Sequence, residues 1–309
     1  MVIKTCVVCI CKGVFDCYRS YPLLLEGYRK SFFDVKSAAE DRVQKIVFAN
    51  NKGGVGKTAS TLSVAGILAD MGKRVLIFGM DPQSNLTMGL KAFGIAPVNY
   101  MGDLLEGKRT LDESIVALTD NLHHIPTSME LFDTAWNLER NSLRKYEMLR
   151  IKLNGISGYD FVLIDTQPDT QTVLSFNAFA YADYVIIPTV AEEYSSAGVP
   201  QVMRVLAEVR EQCLNPHLDI LGFLITFAEK TKICRESEEL LREKYMDKVF
   251  ATKIRRTVGL QSSAKKGLPI SEKNQMGYWD YMAFTEEMLK KLGLTLSMAK
   301  TAFQSVIIH

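Results

Sequence analysis

The sequence predicts an α/β fold: a doubly wound, mostly parallel sheet. Three observations lead there. From Lys45 onward, short apolar runs alternate with longer amphipathic stretches, the rhythm of βαβ units. The runs are apolar on both faces, as interior strands of a parallel sheet require. A glycine-rich turn links the first run to the first helical stretch. The 309 residues, 47% hydrophobic and 23% charged, suffice for one substantial core and exclude a fibrous or largely disordered chain. No uninterrupted apolar stretch reaches the ~18 residues a membrane-spanning helix needs. A net charge of +2 identifies no partner by itself.

The elements follow in order. Residues 46–49 read as a buried strand, and 58–71 as a helix after the turn. Residues 75–78 form a second strand beyond Gly72 and Lys73. Further strands are expected at 161–164, 184–187 and 220–227, with helices at 199–212 and 237–245. One domain over 43–294 accounts for this alternation. Residues 1–42 do not join it and are expected to be a disordered extension, or a start assigned too far upstream. Residues 295–309 form a tail.

Lys52-Gly53-Gly54-Val55-Gly56-Lys57-Thr58 lies directly between a strand and a helix. Glycines allow consecutive backbone N–H groups to curl around phosphate oxygens where side chains would collide. The helix N-terminus adds the positive end of its dipole. In such a loop Lys57 reaches the β- and γ-phosphates and the Thr58 hydroxyl is a Mg²⁺ ligand. A capping threonine on a tight turn would explain Thr58 alone, but not the whole run. The nucleotide-binding set is therefore Lys52, Gly53, Gly54, Val55, Gly56, Lys57, Thr58 and Ala59.

The loop departs from the ordinary pattern, with Asn51 where a glycine is usual and an added lysine at Lys52. In this it resembles the deviant Walker A ATPases, and most closely the ParA/Soj branch that segregates plasmids and chromosomes. The resemblance runs from about residue 45 to 292. Asp81-Pro82-Gln83-Ser84-Asn85 is similar to the family's D-P-Q-G-N switch motif. Asp165, in Leu163-Ile164-Asp165-Thr166-Gln167-Pro168, is similar to its Walker B acid. Ile187-Pro188-Thr189, with Glu192 and Tyr194, resembles the segment after the fourth strand. The resemblance implies ATP and Mg²⁺ as cofactors, with Asp165 holding the metal through water and Asp81 positioning the attacking water. It also implies that Lys52 crosses a homodimer interface to the partner's phosphates, so that Lys52, Lys57 and Asp81 make up the catalytic set. Gly79, Gln167, Asp169 and Ala59 differ from the family's usual residues. None of them removes a phosphate or metal ligand.

Basic residues gather toward the C-terminal half of the domain. Lys248, Lys253, Arg255, Arg256, Lys265, Lys266 and Lys273 have only Glu272 among them, and Lys230 and Lys232 are expected in the loop after the 220–227 strand. ParA-like proteins bind DNA non-specifically through such residues, which marks Lys230, Lys232, Arg255, Arg256, Lys265 and Lys266. Phosphate binding of this kind weakens steeply with salt. Gly259 stands where the family often has another arginine, and Glu236, Glu238, Glu239 and Glu243 offer the alternative of a mixed, solvated face. The expected activity is a cytoplasmic, nucleoid-associated ATP-dependent switch. It would dimerise with ATP, bind DNA and hydrolyse ATP when a ParB-like adaptor stimulates it. A MinD-like membrane ATPase is the alternative, but 288–296 makes a weak amphipathic anchor. An iron–sulfur carrier would need paired core cysteines, and the core has only Cys213 and Cys234. Cys6, Cys9, Cys11 and Cys17 crowd the start. Cys6 and Cys9 have C-x₂-C spacing, yet no histidine lies near to complete a zinc site. Adenine contacts are placed only loosely, near Thr226 and residues 254–256.

Overall fold

The computed structural model describes residues 42–190, 198–212, 214–257, 269 and 276–294. The expectations for residues 1–41, 192, 194, 259, 265, 266 and 295–309 lie outside them. The strands are β1 (Gln44–Phe48), β2 (Val75–Met80), β3 (Val116–Ala117), β4 (Leu122–Ile125), β5 (Phe161–Thr166), β6 (Tyr184–Val190), β7 (Asp219–Ala228) and β8 (Val249–Arg255). The helices are α1 (Lys57–Asp70), α2 (Met101–Glu106), α3 (Leu111–Ser114), α4 (Leu131–Asn141), α5 (Met148–Lys152), α6 (Val173–Tyr181), α7 (Gly198–Glu211), α8 (Lys232–Tyr245) and α9 (Met276–Lys291). Short 3₁₀ segments cover Thr87–Phe93 and Met246–Lys248.

All eight strands join one sheet in the order β3-β4-β2-β5-β1-β6-β7-β8. Every described pairing is parallel except β3 with β4. β1 lies between β5 and β6: β2 to β5 occupy one side of it, and the chain then crosses to the other side for β6 to β8, reversing direction. Ligands of open α/β sheets bind at the carboxyl ends of strands where such a reversal occurs.

Successive side chains on a strand face opposite ways, so each buried strand supplies two cores. Val47, Phe78, Ile164, Ile187 and Phe223 pack with Met101, Leu131, Phe179 and Val205 on one face. Ile46, Phe48, Ile77, Leu163 and Leu224 pack with Leu62 and Ile67 of α1 and with Tyr281, Phe284 and Met288 of α9 on the other. This is the two-sided burial that the continuous apolar runs predicted. Each fully buried Leu or Phe contributes about 2–3 kcal/mol relative to exposure.

The expected elements are present with shifted ends. β2, β5 and β6 run past Gly79, Asp165 and Pro188 because Gly79 still pairs with Asp165 and Pro188 with Leu224. α8 begins five residues earlier than expected, where Thr231 Oγ1 accepts from Cys234 N at 3.1 Å. Lys232 is therefore the first residue of a helix and not a loop residue. β4 was not predicted because His123 and His124 break its apolar run. β8 was hidden by the exposed Ala251, Lys253 and Arg255 of an edge strand.

Candidate active site

The loop from Asn51 to Gly56 leaves β1 and enters α1. Gly54 and Gly56 have φ of +76° and +84°, the left-handed region that disfavours a side chain. Gly56 is doubly constrained, since a Cβ there would lie 3.3 Å from Phe227 Cζ. Thr226 Oγ1 donates to Val55 O at 2.8 Å, and Thr61 Oγ1 donates to Lys57 O at 3.0 Å. The loop is thus tied to β7 on one side and to its own helix on the other.

Asn50 and Asn51 explain how the loop does without the usual glycine. Asn50 Nδ2 donates to Pro188 O at 2.7 Å, and its Oδ1 accepts from Lys52 N at 3.2 Å. Asn51 Oδ1 accepts from Thr170 N at 3.1 Å and from Thr170 Oγ1 at 3.2 Å. The loop is thereby pinned to the chain after β5, and Lys52 has a fixed backbone position. Gln167 and Asp169, two of the departures from the family pattern, sit in that same segment, where Asp169 Oδ1 accepts from Gln171 N.

Lys57 is buried, and its Nζ donates to Lys52 O at 2.8 Å. Burial pushes its pKa down, opposed by the charges of Asp165 and Asp81. Asp165 is 1% exposed and accepts from Thr58 Oγ1 at 2.6 Å through Oδ2, while its Oδ1 has no hydrogen-bond partner. Burial pushes the Asp165 carboxyl up to about 7, against the pull of Thr58 and Lys57 and with a further push from Asp81. Such an oxygen, buried without a donor, costs free energy that a cation or a metal-bound water would offset. Asp81, also buried, follows β2 directly, and its Oδ1 accepts from Gln83 N at 2.9 Å. Lysine and two carboxylates from three strand ends thus share one electrostatic neighbourhood. The structure brings Thr58, Asp165, Lys57 and Asp81 together.

The basic residues marked for DNA are placed differently. Arg255 binds Asp280 through Nε and Nη2 at 2.6–3.2 Å. Arg256 Nε lies 2.6 Å from Glu229, and Lys232 lies 3.6 Å from Glu236. Lys253 and Lys248 pair with Glu238 and Asp219. Glu236 lies on the same helix as Lys232, and Glu236 and Glu238 belong to the mixed, solvated face offered as the alternative, whereas Asp280, Glu229 and Asp219 come from other parts of the chain. Lys230 is exposed.

Phe227 escaped the sequence reading. It has a left-handed φ of +51°, lies against Gly56 and carries the Arg256 guanidinium 5.4 Å from its ring centre. No local sequence pattern marks it. Thr226, Phe227 and Arg256 form an aromatic and cationic wall beside the loop, in the region where base contacts were loosely expected.

The comparisons agree with this geometry. Residues 43–220 match the family model described as an AAA domain. The chromosome-partitioning ATPase Soj of Thermus thermophilus is 35% identical over 254 residues, covering 81% of this chain and 97% of that protein. A plasmid partition protein of Borrelia burgdorferi bound to AMPPNP superposes with a TM-score of 0.67 at 26% identity, covering 81% and 98%. Cobyrinic acid a,c-diamide synthase of Mycobacterium smegmatis, with an ATP analog and magnesium, gives 0.69 at 27% identity over 81% and 95%. With its deviant phosphate loop, its strand-end carboxylates and a partitioning ATPase matched over most of its length, this chain belongs to the ParA/Soj family of P-loop ATPases.

Proposed function

We propose that the domain over residues 43–294 is an ATP-dependent dimerising switch that positions or segregates DNA or another cargo. One observation carries the reading: a loop with left-handed glycines leads into a helix whose Thr58 bonds Asp165, and the other oxygen of Asp165 has no partner. A triphosphate matches such a loop, with the helix N-terminus behind it. Thr58 and Asp165 supply hard oxygen donors of the kind magnesium takes, Asp165 through water. Bound magnesium would neutralise charge on the phosphates.

The chain's own residues then divide the work. The amides of Gly53 to Lys57 bind and orient the phosphates, and Lys57 brings a cation to the β- and γ-groups. Val55 and Ala59 fix the loop by burial. Asp81 orients water for attack on the γ-phosphorus, and the bond to the β–γ bridging oxygen breaks as the new P–O bond forms. Lys52 of a second copy closes the site and balances the developing charge. A switch of this type binds non-specific DNA as the ATP dimer, and a ParB-like adaptor accelerates hydrolysis and release. Lys230, Lys232, Arg255, Arg256, Lys265 and Lys266 would supply phosphate contacts.

Nucleotide titration calorimetry and DNA co-sedimentation test the assignment. Lys57→Ala should lose ATP binding, and Asp81→Ala should bind ATP and stay on DNA without turning it over. If folded wild-type protein with magnesium binds neither ATP nor ADP, the proposal fails.

A further inference from the structure

His124 is an expensive residue to place where it is. It is fully buried on β4, in register with Ile77 of β2, and an apolar side chain would carry no desolvation cost. Both of its ring nitrogens are engaged. Nδ1 lies 3.1 Å from Ile77 O and Nε2 lies 3.2 Å from Thr87 Oγ1. A carbonyl oxygen can only accept, so Nδ1 carries the proton. Burial pushes the pKa of His124 down to about 4, so the ring is neutral near pH 7 and Nε2 is a bare acceptor. The Thr87 hydroxyl therefore donates to Nε2, and the same oxygen accepts from Thr127 N at 2.8 Å. Thr127 Oγ1 in turn donates to Gly79 O at 2.9 Å.

These bonds hold both ends of one short segment. Gly79 lies just before Asp81, and Thr87 opens the 3₁₀ segment just after it. Between them the chain is a tight loop: Ser84 N donates to Asp81 O at 3.0 Å, Thr87 N donates to Ser84 O at 2.9 Å, and Ser84 has a left-handed φ of +57°. Strand β4 contributes nothing to the phosphate loop itself. Its histidine and the threonine beyond its end reach only the segment that carries Asp81. The direction of every proton in the chain is fixed, so the clamp has a single arrangement and leaves no donor unsatisfied.

We propose that His124, acting through Thr87 and with Thr127, is a positioning residue that fixes the Asp81 loop for ATP hydrolysis. This rests on the ATPase reading above. Loss of the clamp would leave the phosphate loop and nucleotide affinity intact while Asp81 wanders from its attack geometry, where displacement on the order of 1 Å can cost up to about a hundredfold in rate.

The two nitrogens can be tested separately. In His124→Asn the amide can replace Nδ1 toward Ile77 but cannot reach Thr87, and His124→Gln can replace Nε2 toward Thr87. Thr87→Val keeps the shape and removes the hydroxyl, and Thr87→Ser restores it. Single-turnover ATP hydrolysis should fall about tenfold or more in His124→Asn and Thr87→Val, with ATP affinity within about twofold of wild type. His124→Gln and Thr87→Ser should stay close to wild type. Amide exchange across residues 82–88, measured without nucleotide, should quicken only in the two disabled variants. Unchanged turnover and exchange in Thr87→Val would overturn the proposal, as would equal losses in all four variants. If the wild-type protein shows no turnover, the ATPase reading fails, and the exchange pattern alone still supports or refutes the clamp.

Discussion

At Asp165 a carboxyl group is buried with one oxygen on Thr58 and the other without a partner. Its pKa of about 7 in the fold compares with about 3.9 in an unfolded chain. Between those values the native protein holds a proton that the unfolded chain has released. Stability therefore falls as pH rises from about 4 to 7, and the full penalty persists above that. Asp165→Asn removes the charge, although Lys57 then loses a counter-charge and returns part of the gain. Chelator-treated, nucleotide-free Asp165→Asn should be more stable than wild type by roughly 2 kcal/mol at pH 8, with the difference gone below about pH 4. It should also lose magnesium-dependent ATP binding. Urea titrations at several pH values read this directly, and a variant less stable than wild type at pH 8 would refute the electrostatic account. The place of Asp165 at a strand end was legible because it ends an apolar run. Its pairing with Thr58 was not, because 107 residues separate them and only the β1–β5 register brings them together.

Among the elements, β8 and α9 show most clearly what the sequence concealed. β8 is an edge strand, whose free backbone groups would otherwise be a template for pairing. α9 covers it with carboxylates: Glu287 accepts from Ala251 N and Thr252 N at 2.7 and 2.8 Å, and Asp280 accepts from Arg255 N at 2.9 Å. On its inner side Tyr281 meets Ser60 of α1 at 3.0 Å, so α9 joins the phosphate-loop helix to the sheet edge. Arg255 therefore has a structural role in addition to any part in DNA binding, and its cationic charge is largely neutralised. Asp280→Ala should lower stability by about 2 kcal/mol, the scale of a charge-assisted, multiply bonded carboxylate. The same variant should bind DNA at least as tightly as wild type, since it frees a guanidinium. Denaturant midpoints and DNA anisotropy together decide this, and a weaker DNA complex with unchanged stability would reverse the assignment. The glycine loop, by contrast, was fully legible because its chemistry lies in seven consecutive residues. The edge clasp and the His124 clamp join residues that are distant in sequence, and neither has a local pattern.

For the molecule as a whole, the decisive question is whether the loop's two lysines do different jobs. Lys57 is buried, donating to Lys52 O, whereas Lys52 is half-buried with its backbone N–H fixed by Asn50. The proposed dimerising switch gives Lys52 the task of reaching a second copy. Ligand binding to the native state alone raises stability by about 2.7 kcal/mol at a hundred times Kd. Lys52→Ala should keep a stabilisation of that order with magnesium and ATP while remaining monomeric at all concentrations. Wild type should gain further with protein concentration as dimers form, and Lys57→Ala should gain neither. DNA affinity should follow the dimer and drop steeply with salt, so Lys52→Ala should lose it although it binds nucleotide. Thermal melts across a protein dilution series, paired with light scattering, separate the three cases. If Lys52→Ala dimerises and binds DNA like wild type, Lys52 is a local loop residue, and closure between the subunits must be assigned elsewhere.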